Sequence, residues 1–342
     1  MDTRAIEAKF LSVLDNIRQG RGQGSGDSEA FPKYFESALA SETTMRKYFD
    51  WQMGHTRYVR DSIEGRTLID AGCGAGALSI LLSLMGAKKV YAVDYLADQI
   101  AQARFAIRAA GTDNVELVQS DVASLDLPAE SIDGIFSIEG ISHYRHYPSF
   151  LEMAARVLKH GGFLVVSDGN NSASPILRRR TQRIWDAFEN CPDGLSIYGH
   201  EKGDTCYLAA RMEIIRSAFP QLEPEQVRQF AGYTFGYSKA STIAAVKQFM
   251  TGDYSLRSEY GPGKCPFDPE SDCYMEALIH PGRLVRELRQ YGFTATVKAN
   301  GPANRRLRLL QIVWGALSPL TILLPRGFSI IARKMAASAS GC

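Results

Sequence analysis

The sequence has no C-x-x-C pair, no internal repeat, no apolar run long enough to span a bilayer and no marked excess of one charge. Each absence removes a class of protein. Cys73, Cys191, Cys206, Cys265, Cys273 and Cys342 stand apart, so neither a zinc ribbon nor a thioredoxin-like site is expected. In a chain of 342 residues their even number is a weak argument for a disulfide framework. The 39 Lys+Arg and 37 Asp+Glu leave a net charge of +2, too little for a broad phosphate-binding surface. The 30 Gly and 14 Pro are scattered, which excludes collagen-like and low-complexity chains. Asp2, Arg4, Glu7 and Lys9 interrupt the N-terminus where a secretory signal needs an apolar core. The expected compartment is therefore the reducing cytoplasm. Residues 312–325 are strongly apolar but fall short of the roughly 20 residues of a spanning helix, and Pro319 breaks them. A buried or pocket-lining helix is the expectation there. A membrane-surface element is the alternative, given Arg305, Arg306 and Arg308 nearby.

What remains is ordinary globular sequence, 45% hydrophobic and 22% charged, long enough for a substantial core. Four stretches differ in rhythm. Residues 1–64 are helical in pattern, with Ile6, Phe10, Leu11, Leu14 and Ile17 on one helix face. A glycine-rich break follows at 20–26, and then an aromatic stretch from Tyr34 through Trp51 to Tyr58, either a flap or a packed layer. From residue 65 to 169, short apolar runs at 67–71, 89–93, 115–119, 134–138 and 163–167 alternate with helical stretches. That rhythm predicts an α/β fold with a doubly wound, mostly parallel sheet. Residues 170–280 break the alternation and predict a mainly helical cap insertion. In 281–342 the alternation resumes and completes the sheet with strands near 294–298 and 328–332. Ligands of such sheets bind beyond the carboxyl ends of the strands, where strand order reverses.

At the first strand-to-helix junction stands Asp70-Ala71-Gly72-Cys73-Gly74-Ala75-Gly76. The glycines permit a tight turn and close approach of a ligand, and the next helix points its positive N-terminus there. The spacing also satisfies a dinucleotide fingerprint, so the surrounding acids must decide. Asp70 would repel a pyrophosphate and welcome an ammonium. Asp94 ends the second strand, where a carboxylate can take two ribose hydroxyls. Asp121 follows the third, placed for an adenine amino group with Val122 over the ring.

With Tyr91-Ala-Val-Asp94, Gln119-Ser-Asp-Val122 and Val157-Leu-Lys-His-Gly-Gly-Phe163 in order, residues 65–168 resemble the class I S-adenosylmethionine-dependent methyltransferases. The resemblance implies a Rossmann-like core and S-adenosylmethionine as cofactor. It also implies that Asp70, Ala71, Gly72, Gly74 and Gly76 cradle the methionine part, and that Asp94 holds the ribose. Tyr95, Asp121 and Val122 would surround the adenine, with Gln99 a further contact and the Ser137 carbonyl meeting the methionine amino group.

Ser137-Ile-Glu-Gly-Ile-Ser-His-Tyr-Arg-His146 looks like the Glu-x-x-x-His segment of the family's small-molecule members. On that likeness His143 is the candidate base, with Glu139 orienting it or touching substrate, and His146 and Tyr144 are runners-up. No metal is expected, because His143-x-x-His146 lacks further ligands. The absence of Asn/Asp-Pro-Pro-aromatic, with the near-neutral charge, disfavours nucleic acid. Tyr233, Phe235 and Tyr237 alternate as in an extended segment, to be read as core or as an acceptor pocket. Arg178, Arg179, Arg180 and Arg183 read as a solvated face. The resulting expectation is a cytoplasmic methyltransferase acting on an oxygen or nitrogen of a small acceptor, aromatic or lipid-like. A lipid or sterol-like C-methyltransferase at a membrane surface and a non-catalytic nucleoside-binding protein are the alternatives.

Overall fold

Alternation of short apolar runs with helices builds a seven-stranded sheet, seen in a computed structural model that describes residues 2–21, 35–190, 206–300, 322–324 and 326–336. The N-terminal layer comprises α1 (Thr3–Arg18), the single turn α2 (Glu36–Leu39) and α3 (Glu42–Thr56). Ser41 starts α3 with a reciprocal capping box to Thr44, a device worth about 1 kcal/mol. Then come β1 (Thr67–Ala71), α4 (Ala77–Leu84), β2 (Lys89–Asp94), α5 (Ala97–Ala110), β3 (Val115–Gln119) and β4 (Ile132–Ile138). They are followed by α6 (Tyr147–Val157) and β5 (Leu158–Asp168). The segment between β5 and the last helix holds α7 (Pro175–Asn190), α8 (Tyr207–Ala218), α9 (Pro224–Tyr233), α10 (Lys239–Phe249) and a small hairpin of β6 (Phe267–Asp268) and β7 (Cys273–Tyr274). Last are α11 (Pro281–Gln290), β8 (Phe293–Ala299) and β9 (Phe328–Lys334).

Strand order is β3-β2-β1-β4-β5-β9-β8. The first five run parallel, while β9 lies antiparallel between β5 and β8. Order therefore reverses beside β1, so β1 and β4 part at their carboxyl ends and open a crevice between them. One face of the sheet is covered by α4, α5 and the N-terminal layer, whose Phe10, Ile17, Phe49 and Ile63 join the same core as Leu81 and Phe105. The other face is covered by α6 and α11, through Phe150, Leu151, Leu284 and Leu288. The N-terminal aromatic stretch is thus a packed layer.

Lys159–Gly162 lie within β5, where the register against β4 shifts between Ile132 and Gly134. One local expectation is corrected. Tyr233, Phe235 and Tyr237 are not one extended strand: Tyr233 ends α9, and Gly236 takes a φ of +79°. Their rings join the core of the helical insertion, Tyr233 against Phe249 and Phe235 against Tyr260. Helix α9 carries few apolar residues behind a polar start at Pro224-Glu-Gln, which leaves little apolar periodicity in the sequence. Arg178, Arg179, Arg180 and Arg183 are exposed on α7, as a solvated face should be. The insertion closes on itself, since Ser172 N donates to the Ile279 carbonyl and Ile279 N to that of Asn170. Cys206 is disulfide-bonded, whereas Cys73, Cys265 and Cys273 are free thiols. Among the described residues no helix is long and apolar enough to cross a membrane. Arg305, Arg306, Arg308 and nearly all of the 312–325 stretch lie outside the described residues.

Candidate functional site

A cavity of about 870 Å³ opens at the crevice between β1 and β4. Its floor is the glycine turn, where Gly72 and Gly74 hold φ of +75° and +51°, values a side chain tolerates poorly. The turn is anchored by Asp94, whose Oδ2 accepts from Gly74 N at 2.9 Å and Oδ1 from Leu96 N at 3.0 Å. Each oxygen keeps a lone pair for a ligand. Asp70 is 2% exposed, and its Oδ2 accepts from Ser79 Oγ at 2.6 Å. Burial, only partly offset by that bond and reinforced by the Asp94 charge, pushes the Asp70 carboxyl up to about 6. Burial also raises Asp94, against the N–H bonds it accepts and the nearby His143. Asp121 Oδ1 accepts from Ala123 N at 2.8 Å, capping the short turn Val122–Ser124.

Asp70, Gly72, Gly74, Asp94, Tyr95, Gln99, Asp121, Val122, Glu139, His143 and His146 all line this cavity. Three expected contacts do not. The Ala71 carbonyl is taken by the Tyr144 hydroxyl at 2.9 Å, and the Ser137 hydroxyl shares a bond with the same group at 3.0 Å. Ser137 is fully buried beneath the cavity wall. Gly76 turns away: a Cβ there would lie 3.2 Å from Ala103 Cβ, so this glycine lets α4 pack on α5.

The segment after β4 divides its labour. Glu139 holds φ +50°, and its Oε2 accepts from Gly169 N at 2.9 Å. It is exposed to the cavity, yet its carboxyl is desolvated and stands near Asp168 and Glu276, which pushes it up to about 8. Asp168, fully buried, accepts from Ser142 N and Asn170 N and is raised by burial. His143 is oriented by a different group than expected. Its Nδ1 lies 3.2 Å from the Tyr274 carbonyl. A carbonyl only accepts, so Nδ1 carries the proton, and in the neutral imidazole Nε2 keeps its lone pair. The hairpin that supplies Tyr274 is clamped to the same segment, as Ala277 N donates to the Ser142 carbonyl and Arg145 binds Asp272. His146 is exposed and bonds Ser149. Tyr144 donates its proton to Ala71, and burial raises its pKa far beyond the ordinary tyrosine value. Neither runner-up matches the free Nε2 of His143. Among the described residues no group of His, Cys, Asp and Glu could hold a metal ion.

Sequence reasoning missed Tyr48, Trp51 and Gln52 of α3, which line the cavity together with Arg145, Asp272 and Cys273. Nothing local marks them, because only the docking of α3 beside α4 and of the hairpin beside the β4 segment brings them there. The aromatic density around Trp51 was the one available signal.

Residues 63–223 match a protein-family model described as a methyltransferase domain. A curated relative in Mycobacterium tuberculosis, named as a probable S-adenosylmethionine-dependent methyltransferase, is 36% identical over 31% of this chain and 36% of its own length. Residues 63–223 thus form a methyltransferase domain of the S-adenosylmethionine-dependent kind. An Arabidopsis thaliana relative, named "Probable protein arginine N-methyltransferase 6", is 36% identical over 51% of this chain and 43% of that one. A Mycolicibacterium smegmatis fatty-acid O-methyltransferase is 28% identical over 37% of this chain and 46% of that one. The chain thus spans less than half the length of each of these curated relatives.

The cavity fits S-adenosylmethionine. Three carboxylates, Asp70, Asp94 and Asp121, line the cavity with no basic side chain paired to them among the described residues, which suits a cationic ligand and repels a pyrophosphate. Gln99 Oε1 is buried there without a protein donor, and such an orphan acceptor calls for a ligand donor. The glycine turn keeps side chains out of the space between.

Proposed function

We propose that this protein transfers a methyl group from S-adenosylmethionine to an oxygen or nitrogen of a small acceptor, with His143 as general base. When bound, the cofactor supplies a methyl group on a sulfonium, ready for in-line displacement. In this reading Asp94, Asp121, Tyr95 and Gln99 hold the nucleoside, and Asp70 with the Gly72–Gly74 backbone holds the amino-acid tail. Orientation is the main contribution of such a site. His143 then accepts the acceptor's proton at Nε2 while Nδ1 remains bound to the Tyr274 carbonyl. The observation that carries the reading is this tethered imidazole, whose lone pair has no protein partner among the described residues in the cavity that fits the cofactor.

His143→Ala should lower turnover by roughly 10²–10⁴ and leave the affinity for S-adenosylhomocysteine unchanged. Turnover is read as labelled methyl entering the small-molecule fraction of a cell extract. Unaltered turnover would clear His143 of the role. Label entering only protein would favour a second reading, a cationic nitrogen acceptor such as an arginine side chain. The grouping of three acids, Glu139 with Asp168 and Glu276 near it, supports that one, as does the relative named for arginine methylation. The compartment is proposed to be cytoplasmic.

A further inference from the structure

Helix α3 contributes a wall that the cofactor cradle does not use. Tyr48 and Trp51 lie against each other with ring centroids 5.7 Å apart, and Trp51 remains 38% exposed. Beside them Gln52 is 4% exposed, and its Nε2 donates to the Tyr48 hydroxyl at 3.2 Å. Its Oε1 is buried without a partner among the described residues. All three side chains line the cavity. A buried amide oxygen left without a donor is costly in the free protein, and a ligand that brings an O–H or N–H removes that cost. The two rings beside it offer flat faces, while α3 puts no aliphatic side chain into the cavity. Arg145, among the described residues the one basic group of the lining apart from the two histidines, is neutralised by Asp272 and stacked over Phe267 at 4.8 Å.

We propose that α3 is the acceptor-recognition wall and that the acceptor is a planar aromatic compound carrying two donor groups. One is the hydroxyl whose proton goes to His143; the other is an O–H or N–H held by Gln52 Oε1 while the ring lies on Trp51. This rests on the methyl-transfer reading above and deepens it. An acyl chain fits the wall poorly, since it brings neither a donor for Gln52 nor a flat face for Trp51.

The test uses the full chain saturated with S-adenosylhomocysteine, titrated with hydroquinone, naphthalene-1,4-diol, cyclohexane-1,4-diol and decanoate by calorimetry and tryptophan fluorescence. The aromatic diols should bind and quench fluorescence, with cyclohexane-1,4-diol and decanoate at least about tenfold weaker. Trp51→Ala should abolish the quench and weaken the aromatic diols about tenfold. Gln52→Leu, close in size, should weaken them about fivefold, one lost neutral hydrogen bond. Both variants should bind S-adenosylhomocysteine as the wild type does, which also shows that they fold. Equal binding of the two monocyclic diols, preference for decanoate, or no diol binding to the loaded protein overturns the proposal. So does a Gln52→Leu variant that loses S-adenosylhomocysteine affinity instead, because Gln52 would then serve the cofactor. If the wild type fails to bind S-adenosylhomocysteine at all, it is the methyl-transfer reading that falls.

Discussion

Glu139 is held at φ +50°, a left-handed conformation that costs a residue with a Cβ of order 1–3 kcal/mol. It persists because both ends of the residue are tied, its N–H to the Ser167 carbonyl at 2.7 Å and its carboxylate to Gly169 N. The same placement desolvates the carboxyl beside Asp168 and raises it from 4.5 to about 8. The sign of the pH effect follows. Between those two values the folded protein retains a proton that the unfolded chain has released, so stability present at acid pH is lost as pH rises toward 8. Glu139→Gln removes this loss. Its melting temperature should match the wild type near pH 4.5 and exceed it increasingly toward pH 8. Parallel profiles over that range would show that the carboxyl is not perturbed. Glu139 and His143 were both legible as a pair four residues apart, but their supposed contact was not. The histidine's partner is a carbonyl 131 residues further along the chain, and sequence spacing carries no trace of it.

At the scale of elements, the strands were legible because burial on both faces leaves near-continuous apolar runs. In β4 and β5 that packing is unforgiving. A Cβ on Gly134 would come within 2.1–2.5 Å of the Phe163 ring, which itself packs edge-on to Phe136 at 5.5 Å. Gly134→Ala should therefore destabilise the protein by about 1–3 kcal/mol or more, measured by urea unfolding. Adding Phe163→Leu should recover part of the loss, since the two residues share one space. If Gly134→Ala unfolds like the wild type, the ring has room that the geometry denies. The hairpin β6–β7, by contrast, left only a loop-like signature of Gly, Pro and Asp residues. Strands of two residues have no periodicity to detect, and this hairpin is held by its contacts with Arg145 and His143.

The whole molecule is a sheet with two differently built attachments, an N-terminal layer sharing the sheet's core and a helical insertion with a core of its own. Inside the insertion Arg211, fully buried, pairs with Glu189 and donates to the Ala231 carbonyl at 3.0 Å. Arg211→Met leaves Glu189 charged and alone, a change worth about 3–5 kcal/mol. The expected outcome is early unfolding of 175–190 and 206–250 by hydrogen exchange, with S-adenosylhomocysteine binding kept, because no cradle residue lies there. Loss of that binding would show that the insertion props the cradle directly. By itself the sequence determined the parallel sheet, the glycine turn and the acids that follow successive strands, because each depends on residues close together in the chain and on a periodicity that burial imposes. Only the tertiary structure decided which ring nitrogen of His143 is free and that Ser137 and Gly76 are not among the residues lining the cavity. It alone brought α3 to the cavity with an amide and two rings. Those outcomes depend on how separately folded segments pack, and no local pattern of side chains encodes the docking of one segment on another.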